Sequence, residues 1–303
     1  MSVTSLPAAP APLLSVLIPA YNFAEGVGRA IGSMGQLSES RAVEVLVSDD
    51  SADPMSATAI EKLVAGCPVA TYVHNRPALG AVRNWNELLS RARGEYCLLL
   101  HHDEYFESAA VFDEVLRLLA SPQVADGVLL SCKISLGDRH LRQHVPTPLS
   151  RWVLTRWPGY LFRRNVLGAP SVLVLRRSMY EAFDVRLRWF VDVEFYVRVL
   201  SRHCSRLVFL RGQGIVSDSS LTTSITSTLK DELGSIRQRE LMLMAQSGAL
   251  SGRGSWLMGA GPVARIARPI EAIVWVTFRL AWRGLQSVSR GARTWQSAFR
   301  RQV

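Results

Sequence analysis

Leu14-Ser-Val-Leu-Ile-Pro19 is a short apolar run closed by a proline. That pattern predicts a strand buried on both faces within a parallel sheet. Val43-Glu-Val-Leu-Val-Ser48, Val69-Ala-Thr-Tyr-Val73 and Glu95-Tyr-Cys-Leu-Leu-Leu100 repeat it downstream. Between these runs, Glu25 to Met34 carries Val27, Ala30 and Ile31 at helical spacing, and Asn84 to Ala92 also reads as helix. Strands alternating with helices over this length predict an α/β domain with a mainly parallel central sheet. The chain has 303 residues, 48% of them hydrophobic, enough to bury a sizeable core.

In such sheets ligands bind beyond the carboxyl ends of the strands. Polar residues collect there: Tyr21 and Asn22 after the first run, Asp49 and Asp50 after the second, and His101-His102-Asp103-Glu104 after the last. A strand-end acid alone is best read as a helix cap or a solvated loop residue. Several on one edge favour a site. A nucleoside diphosphate needs its base and ribose held and its phosphates neutralised, a task for hard oxygen ligands around Mg²⁺ or Mn²⁺. The motifs of a nicotinamide oxidoreductase and of a P-loop kinase are missing, which argues against both. No G-x-G-x-x-G follows the first strand, Gly26-Val-Gly28 comes too late, and no G-x-x-x-x-G-K-[ST] occurs.

Five segments in order resemble the family 2 glycosyltransferases of the GT-A fold, over about Ser15 to Thr223. Ser15-Val-Leu-Ile-Pro-Ala-Tyr-Asn22 is similar to that family's opening strand, and Val47-Ser-Asp-Asp-Ser-Ala-Asp53 to its nucleotide-binding turn. Leu79-Gly-Ala-Val-Arg-Asn-Trp-Asn86, then Ala92-Arg-Gly-Glu-Tyr96 and His101-His-Asp-Glu104, resemble the approach to its DxD metal motif. Asn165-Val-Leu-Gly-Ala-Pro-Ser171 is similar to an acceptor-side loop, and Phe190-Val-Asp-Val-Glu-Phe195 to the segment bearing the catalytic base. Each segment is weak alone; five in the right order are hard to obtain by chance.

The resemblance implies a GT-A-like nucleotide-diphospho-sugar transferase fold and inverting, metal-dependent transfer from a nucleoside-diphosphate sugar. Pro19, Tyr21, Asn22 and Asp49 would line the base and ribose pocket, Asp50 would support that turn, and Asn84 would help on the donor side. Asp103 would bind Mg²⁺ or Mn²⁺, with His101 or Glu104 as further ligands. Gly168, Pro170, Ser171 and Glu194 would lie on the acceptor side, although Glu194 reads equally well as a solvated helix residue. Asp192 would be the general base, because an attacking hydroxyl must lose its proton to a nearby carboxylate.

Three departures from the family pattern stand out. His101 replaces the first DxD acid, Ser217-Asp-Ser-Ser-Leu-Thr222 lacks the His or Arg often found beside the diphosphate, and no Gln-x-x-Arg-Trp of processive relatives occurs. The first two leave open a catalytically weakened relative that binds or scaffolds. A sugar nucleotidyltransferase is the other alternative, weakened by the lack of a glycine-rich triphosphate loop.

The domain reading is a loose tail over 1–12, a catalytic domain over 13–218, a helical extension over 219–252 and a basic amphipathic segment over 253–303. Ser217 to Thr228, rich in Ser and Thr, reads as a loop. From Ser251 onward nine arginines face one acid, Glu271, and supply most of the net charge of +10. From Pro269 on, arginines gather on one helical face, apolar residues mostly oppose them, and Trp275 and Trp282 sit near the boundary. That arrangement suits a helix lying on an anionic membrane surface; a solvated helix packed on the domain is nearly as good a reading. Nucleic acid fits less well, since no aromatic-plus-basic recognition module occurs. Four scattered cysteines and the absence of a leader-like N-terminus or an 18-residue apolar window predict a cytoplasmic protein. The basic helix adds a peripheral position on the inner membrane face, which with the resemblance would suit a lipid-linked acceptor.

Overall fold

A computed structural model describes residues 11–246 except 37–41, 123, 125, 137–138, 145–146, 204–205 and 219–231, and also residue 277. Apart from residue 277, the basic segment over 253–303 lies outside the described residues, as do the tail as far as residue 10 and most of the Ser217 to Thr228 stretch.

The strands are β1 (Leu14–Ala20), β2 (Val43–Asp49), β3 (Ala70–His74), β4 (Tyr96–Leu99), β5 (Glu104–Phe106), β6 (Gly127–Leu136), β7 (Arg139–His144), β8 (Leu173–Arg176) and β9 (Leu207–Asp218). The helices are α1 (Ala24–Gly32), α2 (Pro54–Ala65), α3 (Ala81–Arg91), α4 (Ala109–Leu119), α5 (Pro148–Arg156), α6 (Val191–His203) and α7 (Leu233–Gln246), with 3-10 turns at Pro158–Phe162, Pro170–Val172 and Arg177–Met179. The strands form one sheet in the order β3-β2-β1-β4-β8-β6-β9-β5, with β7 paired to β6. The pairings of β1, β2, β3 and β4 are parallel, as is β6 with β9; β8 is antiparallel to both β4 and β6, and β5 and β7 are antiparallel to their neighbours. Six strands thus run one way and β5, β7 and β8 the other, which is the mainly parallel α/β sheet the sequence predicts.

Local sequence explains the helices. Asp53 caps α2 by accepting from the Ser56 N–H at 2.9 Å, and Pro54 supplies a first helical residue with a preset φ. Helix α3 turns Asn84, Trp85 and Leu88 into the core. All seven residues of β1 are buried, so both sheet faces are covered there. At the edge remote from the strand ends, buried Glu44 accepts from the Ser15 hydroxyl (2.5 Å), the Arg93 N–H (2.7 Å) and the Arg93 guanidinium (2.9 Å). Burial alone would raise its carboxyl; those donors outweigh it and hold it below the usual value.

One expectation needs correction. Ser217 and Asp218, read as loop, are the last residues of β9, and Ser217 pairs with Glu104. Their composition suits a loop, but the β5 pairing satisfies the backbone and overrides it. No described helix is long and apolar enough to cross a membrane.

Candidate active site

Because β2, β1 and β4 are adjacent and parallel, their carboxyl ends lie side by side. Tyr21 is 45% exposed there, and Asn22 takes a left-handed φ of 47°. The Asn22 N–H donates to the Ser51 hydroxyl (2.7 Å) and its side-chain oxygen accepts from the Asp53 N–H (3.2 Å), which locks the β1 and β2 turns together. Asp49 is fully buried, accepting from the Ser51 N–H (2.8 Å), the Ser51 hydroxyl and the Tyr72 hydroxyl (2.8 Å). As placed, its carboxylate shapes the turn from within. Asp50 accepts from Asn75 Nδ2 (2.8 Å) and from the N–H groups of Leu79 (3.1 Å) and Gly80 (2.8 Å), so it ties the loop entering α3 to the same edge. Asn84 donates to the Ser48 carbonyl at 2.9 Å, while its buried Oδ1 has no hydrogen-bond partner among the described residues.

The loop after β4 carries the acids. Helix α1 packs hard against it: a Cβ on Gly26 would stand 2.1 Å from the His102 carbonyl oxygen. His102 Nδ1 lies 3.1 Å from the Pro19 carbonyl oxygen, joining this loop to the end of β1. One ligand atom from each of His101, Asp103 and Glu104 falls within 4.8 Å of the others. The His101 ring packs on Trp85, with centroids 4.7 Å apart, and its buried Nε2 has no hydrogen-bond partner among the described residues. Burial pushes the imidazole down to about 4, against the opposing pull of Asp103, so it is neutral near pH 7. Burial, then the neighbouring Asp103 charge, holds the Glu104 carboxyl well above its ordinary range.

These residues fit a divalent cation. An orphaned neutral imidazole nitrogen offers a lone pair, and two adjacent acids lack a Lys or Arg ion pair among the described residues. A cation would relieve the repulsion that now falls on Glu104.

Strand β8 brings the Asn165 to Ser171 loop, expected on the acceptor side, to the same place. It runs antiparallel to β4, so the segment preceding it, Pro170–Val172, meets the carboxyl end of β4. Ser171 is fully buried, and its hydroxyl lies close enough to Glu104 to lower that carboxyl somewhat without forming a well-angled hydrogen bond. Gly168 has a φ of 99°, a left-handed conformation that favours glycine, and its carbonyl accepts from Asn165 Nδ2 at 3.0 Å. The same Asn165 Nδ2 reaches Asp192 at 3.3 Å, and the Val193 N–H donates to Asp192 at 2.8 Å. Burial pushes the Asp192 carboxyl up to about 6, with backbone N–H donors pulling the other way.

Asp192 and Glu104 are near enough for the charge of one to raise the other. Glu194 is not brought into this group. Two residues along a helix point about 200° apart, and both Glu194 oxygens are held by Arg198 at 2.9 Å. The sequence places Asn165 in the Asn165 to Ser171 segment but gives it no role, though it links that loop to Asp192, and it does not mark Tyr196, whose hydroxyl lies 3.4 Å from the Gly168 carbonyl oxygen. Tyr196 lies one helical turn beyond Asp192, a spacing that could have flagged it.

A parallel sheet edge with acids at adjoining strand ends, met by an antiparallel strand that delivers a second loop, defines a GT-A-like transferase fold. The chain belongs to glycosyl transferase family 2: the family model described as "Glycosyl transferase family 2" matches residues 15–180. Among curated relatives, the uncharacterized Mycobacterium tuberculosis protein MT1568 (strain CDC 1551 / Oshkosh) is 28% identical over 211 residues, covering 63% of each chain. This chain therefore spans less than two thirds of that relative's length. The crystal structure of S. aureus TarS 1-349 in complex with UDP-GlcNAc is similar with a TM-score of 0.51 and 16% identity, covering 71% of this chain and 60% of that one. The Pyrobaculum calidifontis mannosyltransferase PcManGT, in complex with GDP-Man and Mn2+, has a TM-score of 0.48 and 14% identity over 88% of this chain and 81% of that one.

Proposed function

We propose that this chain transfers a sugar from a nucleoside-diphosphate sugar to an acceptor hydroxyl with inversion, using a divalent cation. The observation that carries the reading is the convergence of His101, Asp103 and Glu104 with Ser171 and Asp192 at one end of the sheet. Family membership supports the transfer, and a fold neighbour solved with UDP-GlcNAc supports a nucleotide-sugar donor.

The rim formed by Tyr21, Asn22 and the Asp49–Ser51 turn would receive the base and ribose. Asn84, with its unpartnered Oδ1, would contribute a polar contact on the donor side. His101, Asp103 and Glu104 would hold Mg²⁺ or Mn²⁺, which when bound supplies charge neutralisation for a departing diphosphate. Asp192 would take the proton from the acceptor hydroxyl, oriented by the Asn165 amide. Gly168 and Ser171 would shape the acceptor side. Inversion follows from this single displacement, in which one carboxylate serves as base.

Thermal melting with UDP, GDP, dTDP or CDP, each with Mn²⁺, Mg²⁺ or EDTA, tests the reading. A ligand at ~100 times its Kd adds about 2.7 kcal/mol to the folded state. One nucleotide should raise Tm only when metal is present. A rise that EDTA leaves intact would remove the metal from the proposal, and no rise with any nucleotide would favour the catalytically weakened relative.

We also propose peripheral attachment to an anionic membrane surface, which suits a lipid-linked acceptor in surface-polysaccharide or glycolipid assembly. Trp152 and Trp157 are 49% and 37% exposed and pack edge to face with centroids 4.7 Å apart, and Arg151 and Arg156 are exposed beside them. Indoles at a surface flanked by guanidinium groups favour a headgroup region. Co-sedimentation with phosphatidylglycerol vesicles should weaken severalfold in a Trp152→Ala/Trp157→Ala variant and vanish with pure phosphatidylcholine. Undiminished binding by the double variant would remove this surface from the proposal.

A further inference from the structure

Helix α7 lies beyond the residues matched by the family model, yet it inserts an acid into the part of the fold that presents Asp192. Glu240 is 1% exposed. Its carboxylate accepts from three consecutive backbone N–H groups: Arg188 at 2.5 Å, Trp189 at 3.1 Å and Phe190 at 2.9 Å. Phe190 is the residue whose carbonyl receives the first hydrogen bond of α6, from the Glu194 N–H at 2.8 Å. Asp192 is the second residue of that helix.

A buried carboxylate is costly unless its oxygens are satisfied, and here backbone donors satisfy it. The same contacts satisfy N–H groups at and just before the start of α6, where a negative charge also complements the helix dipole. Helix α7 adds two further holds. The Arg237 guanidinium lies 5.6 Å from the Phe190 ring centroid, and Ile236 and Met244 are buried. The Phe162 ring also meets Phe190 edge to face, with centroids 6.0 Å apart. The stretch that sets where α6 begins therefore packs against both the Pro158–Phe162 3-10 turn and α7.

We infer that Glu240 is a positioning residue for the transfer reaction, fixing the start of α6 so that Asp192 is held toward the acceptor-side loop. Helix α7 is on this reading a working part of the active site. The inference rests on the proposed role of Asp192 as base, and the experiment separates the two.

The full chain is assayed for nucleoside diphosphate release from UDP-GlcNAc, UDP-glucose, GDP-mannose and dTDP-rhamnose, with folded fraction measured by circular dichroism. Glu240→Ala should lower kcat by about 10- to 100-fold, the scale of a small misplacement of a reacting group, with the donor KM within about twofold. Glu240→Gln keeps one oxygen acceptor but loses the charge, and should fall between wild type and Ala in kcat, again at constant KM. If the Ala variant does not fold, the Gln variant decides. A folded variant with wild-type kcat, or a kcat loss matched by a rise in KM, overturns the inference. Asp192→Asn is measured beside them. Wild-type turnover there overturns the base assignment itself, whereas a dead Asp192→Asn with an unimpaired Glu240→Ala overturns only the inference about Glu240. Absence of turnover by the wild-type chain with all four donors overturns both.

Discussion

Asp192→Asn should lower turnover by about 10²- to 10⁴-fold, the usual contribution of a positioned general base, while nucleotide binding stays within about threefold. The substitution keeps the shape and an oxygen to accept from the Val193 N–H, removes the capacity to take a proton, and gives up the long contact from Asn165 Nδ2. Burial places the wild-type carboxyl at about 6, so it is mostly ionised at pH 7 to 8 and close enough to neutrality to be a useful base. Activity should therefore fall as pH drops through about 6, because the base becomes protonated. The same shift has the opposite consequence for stability. A carboxyl raised from 3.8 to about 6 binds its proton more tightly in the folded chain, so its stabilising contribution is full below the unfolded value and is lost as pH rises through the folded one. A permanently neutral Asn escapes that loss. Urea unfolding should find Asp192→Asn more stable than wild type by about 1–3 kcal/mol above pH 6, with the gain vanishing below pH ~4. A dead variant with no such gain would mean that the substitution damaged the structure, and an active variant would remove Asp192 from the reaction.

The parts of this molecule legible in the sequence are those where one local signal decides the outcome. The runs Leu14 to Pro19 and Val43 to Ser48 are largely apolar because both faces of β1 and β2 are covered, and the buried polar residues inside them, Ser15 and Glu44, bond to each other. Their polar ends, Asn22, Asp49 and Asp50, stand out against that background. The second half of the sheet is harder to read. Strand β9 reads Leu-Val-Phe-Leu-Arg-Gly-Gln-Gly-Ile-Val-Ser-Asp, with two glycines and an ending rich in loop-forming residues. It is a strand because β6 pairs with it along most of its length and β5 takes its end, and both partners are distant in sequence.

The site shows the same division. Resemblance can mark Asp192 and Glu194 together, but only the register of α6 separates them, sending one toward Asn165 and the other to Arg198. Asp49 is visible as an acid at a strand end; that its oxygens are occupied by Ser51 and Tyr72 depends on a turn and a neighbouring strand. Glu240 carries no sequence signal at all. It is one acid on a helix of ordinary composition, and its partners are backbone groups about 50 residues earlier.

Asp103→Ala should abolish metal-dependent stabilisation by the nucleotide while leaving the ligand-free chain no less stable. Asp103 is the charge that, after burial, does most to hold Glu104 above its ordinary range. Removing it takes away a like-charge contact as well as a proposed metal ligand, and the two effects have opposite signs. Without metal the repulsion matters more, so Tm in EDTA should stay level or rise. With metal and nucleotide, the lost ligand dominates, and the gain of about 2.7 kcal/mol expected at ~100 times Kd should disappear. His101 sharpens the comparison. As a neutral imidazole it gives the cluster a ligand without a third negative charge, which lowers both the repulsion in the metal-free chain and the attraction for a cation. His101→Asp should accordingly shift the balance the other way, lowering Tm in EDTA and tightening metal binding. A chain that kept its full metal-dependent Tm rise after Asp103→Ala would place the cation elsewhere. A chain that lost the rise and also melted earlier in EDTA would show that Asp103 holds the loop together, whatever it does for a metal.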